Sequence, residues 1–268
     1  MRHSLTLILL LILASCSIFS PKDEKSASEK VDSAEKTYAQ ATEQMNNANY
    51  TGAIKLFETL QSRYPYGRYA QQAQMETAYA YYKQNEPESA LSAVDRFIKQ
   101  YPKNPHVDYA YYLKGLVNFD EDLGLFGEGF QPDLSERNPK APREALDAFE
   151  DLVTRFPKSK YVADSKLRMQ YLTNTLARHE TQVASYYLRR GAYVAAVRRA
   201  NGVLIEFPRA PATRDALQIM VQAYDALGLK NLRDDSQRVL DTNIAKDGVK
   251  PAVKESPENI KSWWQFWK

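Results

Sequence analysis

The side chains that could do chemistry are few and scattered. Among 268 residues there is one cysteine, Cys16, and there are three histidines, His3, His106 and His179. A single thiol excludes an internal disulfide and a cysteine-based zinc site. His106 follows Pro105 at a helix start and reads as a surface or capping group. His179, between Arg178 and Glu180, reads as solvated. Asp120, Glu121, Asp122 and Glu128 offer oxygens, but their spacing matches no EF-hand, so they read as a solvated acidic loop. Carboxylate pairs such as Asp234-Asp235 fall on polar helix faces. No Walker loop, GxGxxG, HExxH or GxSxG is present. With no convergent acid, base or nucleophile, the chain is expected to be no enzyme and to use no cofactor or metal.

What remains is binding chemistry. Tyrosine is in surplus, at 18 residues. Adjacent residues on a helix point about 100° apart, so Tyr79, Tyr81 and Tyr82 cannot all face one core. Some must be exposed, and rigid amphipathic tyrosine suits a binding surface. In the back half, Arg198 and Arg199 could form bidentate bonds with an acidic partner. The net charge of +3 is too small to argue for nucleic acid. It conceals an asymmetry: Cys16 to Thr154 holds 15 Lys+Arg against 22 Asp+Glu, while Arg155 to Leu240 holds 15 against 7. An acidic front and a basic back predict different partners at the two ends.

The leader comes next. Arg2 and His3 precede the apolar run Leu5–Ala14. Ten apolar residues rise only ~15 Å as a helix, about half a bilayer span, so this is a signal-peptide core. It ends Leu13-Ala14-Ser15-Cys16, which resembles the bacterial lipobox, whose cysteine is acylated and becomes the first mature residue. Three acyl chains would anchor stably where one would not. Ser17 stands where an Asp would resemble the inner-membrane retention signal, so the implied destination is the periplasmic face of the outer membrane. Ser20–Lys30 is polar and reads as a flexible tether.

A repeat sets the expected fold. Tyr64-Pro65, Tyr101-Pro102, Phe156-Pro157 and Phe207-Pro208 align with a common pattern upstream. Twelve residues before each proline stand Ala53, Ala90, Ala145 and Ala196. Eight before stand Phe57, Val94, Phe149 and Ala200, and five before stand Leu60, Phe97, Leu152 and Val203. That is one stripe of an amphipathic helix, stopped by the proline. Each helix has a predecessor with a small residue at the close approach: Ala41, Ala78, Gly115 or Ala184. Asn49-Tyr50 and Gly191-Ala192-Tyr193 supply turns, and Gly228 separates a last pair, Ala212–Leu227 and Leu229–Ile244. This is the tetratricopeptide unit, which buries its core by stacking. The prediction is all-α: a tetratricopeptide-repeat solenoid of five helix pairs, with an insertion loop in the third repeat. Tyr161 to Arg190 should be one long helix. The expected divisions are signal peptide 1–15, lipidated tether 16–30, solenoid 31–245 and an aromatic-ended tail 246–268.

Two segments stand outside the repeat. In the insertion between Phe119 and Ala145, Leu123, Leu125, Phe126 and Phe130 should pack back or meet a partner. The tail ends Trp263-Trp264-Gln265-Phe266-Trp267-Lys268, suited to a headgroup layer, a partner pocket or a fold-back onto the solenoid.

Strings along the body carry a resemblance. Arg63-Tyr64-Pro65-Tyr66-Gly67, Ala80-Tyr81-Tyr82-Lys83, Asp95-Arg96-Phe97-Ile98, Gly191-Ala192-Tyr193-Val194 and Ala212-Thr213-Arg214-Asp215-Ala216-Leu217 occur in this order. So does Asp133-x-Ser135-x-Arg137-Asn138-Pro139 in the loop. From Ala34 to Leu240 the chain resembles the BamD family, the lipoproteins of the outer-membrane β-barrel assembly machine. The resemblance implies a non-catalytic scaffold that helps fold and insert unfolded outer-membrane proteins. It implies substrate binding in the N-terminal repeats, at Tyr64, Tyr66, Arg68, Tyr81 and Tyr82. It implies docking of a POTRA domain of a BamA-like barrel subunit on the C-terminal repeats, with Arg199 as the matching arginine; Arg198 and Arg214 are the further candidate partner-binding residues. A BamC-like lipoprotein and other accessory lipoproteins would join them, and Cys16 would carry the membrane anchor. The alternative is a repeat lipoprotein that organises a cell-wall or envelope transport complex.

Overall fold

The computed structural model describes residues 22–123 and 138–246. Cys16, the signal peptide, most of the insertion and the aromatic tail lie outside the described residues. Ten helices and no strand are found among the described residues. They fall into two compact units, 1–84 and 85–268. The first contains α1 (Lys22–Asn46), α2 (Tyr50–Arg63) and α3 (Arg68–Lys83). The second contains α4 (Pro87–Gln100), α5 (Val107–Leu123), α6 (Lys140–Arg155), α7 (Val162–Arg189), α8 (Tyr193–Glu206), α9 (Thr213–Ala226) and α10 (Lys230–Lys246). This is the all-α, tetratricopeptide-type fold that the repeat predicts.

One expectation is corrected. The stretch Ser20–Lys30 was expected to be a flexible tether, yet α1 starts at Lys22. Between Lys22 and Asn46 there is no proline or glycine, and Lys, Glu, Ala and Gln are strong helix formers. Polarity alone did not argue for coil.

The repeat pattern is the core. All twelve residues of the aligned stripe are buried, from Ala53, Phe57 and Leu60 to Ala196, Ala200 and Val203. Ala41, Ala78 and Ala184 are fully buried as well. The residue before each proline caps its helix in one shared conformation, with φ of −129° at Tyr64 and −128° at Tyr101, Phe156 and Phe207. The proline ring excludes α geometry from its predecessor, which fixes the stop. At each stop the capping N–H donates to the carbonyl four residues back, as Tyr64 does to Leu60 at 2.8 Å.

Four turns between consecutive helices also share a device. Ala48, Asn85, Gly191 and Gly228 all have positive φ, between 55° and 72°, and each stands two residues before the next helix. Ala48 alone carries a side chain poorly suited to that region. Links between hairpins are similarly repetitive. Asn104, Ser159 and Ala210 donate their N–H to the aromatic residue three before, and the residue three after donates to them. The link from Tyr64 to α3 is two residues shorter than those links and differs in kind, turning at Gly67 with φ 102°.

In the second unit successive helices pack together, and α7 also meets α9. The long α7 runs 28 residues, as the absence of Pro and Gly predicts. Tyr112 and Tyr161 stack at 4.6 Å, and Tyr112 donates to Asp164, which also accepts from Arg168, each at 2.7 Å. That buried network ties α5 to α7.

Candidate functional site

The short link after α2 carries the most exposed large hydrophobic side chain among the described residues of the first unit. Tyr64 closes the helix and donates its hydroxyl to Ser33 Oγ at 2.9 Å, tying the end of α2 to α1. Pro65 and Gly67 then force a tight reversal, and Tyr66 between them is 91% exposed. Arg68 is occupied locally. Its guanidinium lies 4.6 Å from the centre of the Tyr69 ring and donates to the Tyr69 hydroxyl at 2.7 Å.

Tyr81 and Tyr82 belong to the other end of α3. Thirteen helical steps separate Arg68 from Tyr81, a rise of about 20 Å. Tyr81 donates to Glu58 Oε1 of α2 at 3.3 Å, and Tyr82 packs against Tyr79 with ring centres 6.0 Å apart. The five candidate substrate residues therefore form no single pocket. Tyr79, Tyr81 and Tyr82 were expected to divide between core and solvent. All three are half-buried instead, because the long ring buries its body while its hydroxyl reaches a polar edge.

Between these ends lies a carboxyl that the motif search passed over. Glu76 of α3 is 1% exposed. Tyr38 of α1 donates to its Oε1 at 3.2 Å, while its Oε2 has no hydrogen-bond partner. Burial is the main cause that pushes the acid up to about 8, so it stands neutral near pH 7; the Tyr38 bond opposes this only in part. The same Tyr38 ring lies 5.8 Å from Phe57 and 5.5 Å from Tyr69, so it touches all three helices. A signal existed in the sequence: Ala73, Glu76 and Ala80 share one helical stripe, where an acid is out of place.

In the second unit the three candidate arginines diverge. Arg199 donates to Glu180 of α7 at 2.9 Å and is half-exposed. Arg198, next to it, is exposed, and Arg214 in the first turn of α9 is half-buried. Arg143 of α6 reaches Glu206 of α8 at 3.3 Å. No group of His, Cys, Asp and Glu that could hold a metal occurs among the described residues, and none of the described helices is long and apolar enough to cross a membrane.

This chain is similar to a coherent set of proteins. The family model YfiO, described as outer membrane lipoprotein, matches residues 30–239. Outer membrane protein assembly factor BamD of Neisseria meningitidis serogroup B is 43% identical over 264 residues, covering 98% of both chains. The protein of that description from Xylella fastidiosa is 41% identical over 78% of this chain and 71% of its own. That from Vibrio cholerae is 32% identical over 77% of this chain and 86% of its own.

Proposed function

We propose that this chain, which belongs to the YfiO family of outer membrane lipoproteins, is a non-catalytic scaffold in the assembly of outer-membrane β-barrel proteins. The observation that carries the reading is 43% identity across 98% of both chains to a protein named an outer membrane protein assembly factor. Cys16 would carry the lipid that holds the chain on the periplasmic face of the outer membrane. The tyrosines of the first unit, Tyr66 foremost, would receive an extended segment of an unfolded barrel. The arginines of α8 and α9 would dock a POTRA domain of a BamA-like insertase subunit, with BamC-like lipoproteins beside them. Such a mechanism is differential binding: substrate is held and handed on without a chemical step.

The geometry supports separate sites. Tyr66 and the α8 arginines lie in different compact units, and the charge balance changes sign between the two halves of the chain. Co-purification of the lipidated protein from outer membranes tests the reading. Recovery of the barrel insertase is the expected result; recovery of peptidoglycan enzymes without it would favour an envelope organiser. Mature protein lacking lipid on Cys16 would remove the anchor from the proposal.

A further inference from the structure

The last helix of the second unit buries less of itself than the helices before it. In α6 and α8 the next helix, α7 or α9, packs alongside, and stripes such as Ala196, Ala200 and Val203 are fully buried. No helix follows α10 among the described residues, and from Lys230 to Thr242 only Ser236 and Leu240 are buried. Leu229, Leu232, Ser236 and Val239 follow at steps of three, four and three, which makes them one stripe. Leu229 and Leu232 are each 45% exposed and Val239 is 46% exposed. The end of a repeat stack needs a polar outer face. Apart from Leu240, every other residue from Lys230 to Thr242 is polar or charged, so α10 meets that need everywhere except on this stripe.

We propose that the aromatic segment Trp263–Trp267 of the same chain docks on the Leu229–Leu232–Val239 stripe and covers α10 as the next helix covers α8. Trp263, Trp264, Phe266 and Trp267 can each bury about 150–250 Å². Reach is ample: from Lys246 the helix runs back about 21 Å to Leu232, and the connection Asp247–Ser262 spans up to about 55 Å when extended. Gly248, Pro251 and Pro257 in that connection favour a reversal of the chain. A short flexible connection keeps its end at about millimolar effective concentration. A face on the helix the segment departs from is therefore met ahead of one on another molecule.

All three tryptophans of the protein lie in this segment, so their fluorescence reports on it alone. The test uses the full mature chain carrying Cys16→Ser, which needs no detergent. Its native emission should lie at shorter wavelength than that of the urea-unfolded chain, with several-fold weaker quenching by acrylamide. Leu232→Asp combined with Val239→Asp should move both readings to the unfolded values. The helical circular dichroism should hold, because both side chains are already exposed. Leu167→Asp on α7, 65% exposed and away from the stripe, should change neither reading. Deleting Ser262–Lys268 should speed hydrogen exchange in α10 but not in α6. Unfolded-like emission from the native parent chain, parent-like emission from the double variant, or unaltered exchange in α10 would each overturn the docking. A blue shift seen only with phosphatidylglycerol vesicles would assign the segment to lipid. One that fades on dilution would assign it to a second copy of the chain. Either result overturns the fold-back.

Discussion

The ring of Phe149 occupies the space a side chain at Gly115 would need: a Cβ built there would collide with Phe149 Cε1, Cδ1 and Cζ. That contact sets how closely α5 and α6 approach. Phe149 is fully buried among Tyr112 and Phe119, with ring centres 6.0 and 6.5 Å away, so it has nowhere to retreat.

Gly115→Ala should therefore destabilise the protein by about 1–3 kcal/mol, the usual cost of overpacking. The same change at Gly202 of α8, which faces open space, should stabilise by about 1 kcal/mol through helix propensity. Urea unfolding of the two variants would show shifts of opposite sign. Equal signs would mean that close packing does not govern position 115.

Ala48 holds φ at 55° where the equivalent turns use Asn85, Gly191 and Gly228. Replacing it with glycine relieves about 1–2 kcal/mol of steric cost and returns part of that as chain entropy. The net expectation for Ala48→Gly is a gain of roughly 0.5–1 kcal/mol. Gly191→Ala should lose a similar amount. Thermal denaturation followed by far-ultraviolet circular dichroism measures both.

Glu76 makes stability pH-dependent. Its acid is raised from 4.5 to about 8 in the fold, so the folded state holds a proton that the unfolded state releases. The contribution is complete below pH 4.5, declines as pH rises, and is lost once pH passes about 8. Glu76→Gln keeps the acceptor for Tyr38 and cannot ionise. Denaturant midpoints between pH 5 and 9 should fall for the wild type and stay flatter for the variant. Parallel curves would contradict a buried neutral carboxyl.

Tyr66 and Tyr64 separate binding from structure. Tyr66→Ala removes a ring that is 91% exposed and should leave the thermal midpoint unchanged while weakening capture of a barrel C-terminal peptide. Tyr64→Phe removes only the hydroxyl bond to Ser33 and should cost at most about 1 kcal/mol. Arg199→Glu would set two acids together at Glu180 and should reduce recovery of the insertase with the helical spectrum intact. Peptide affinity untouched by Tyr66→Ala would remove that residue from the site.

The helix pairs were readable because a covalent fact, the ring of proline, ended four helices at an aromatic residue in the same position, and the buried alanine and apolar positions sit at fixed distances upstream. The start of α1 was misread because a polar composition serves a helix and a coil equally well until something packs against it. Arg68 and Arg199 were legible as arginines but not as occupied ones, since Tyr69 and Glu180 meet them only through three-dimensional packing. Glu76 was hidden for the opposite reason: single-residue polarity suggested solvent, and the stripe that contradicts it becomes decisive only when α3 is buried. The open space at Gly202 needed coordinates, because a helical glycine marks either crowding or vacancy and the letter is the same.

The four identical stops have an architectural consequence. The helices that end on them are 14, 14, 16 and 14 residues long, whereas α1 and α7, which precede two of them, run to 25 and 28. The helix before each stop thus behaves as a gauge of nearly constant size, and the helix preceding it as an arm whose reach is free to vary. Lengthening that arm leaves the punctuation undisturbed, which gives this fold a way to extend toward new neighbours while its internal metre holds.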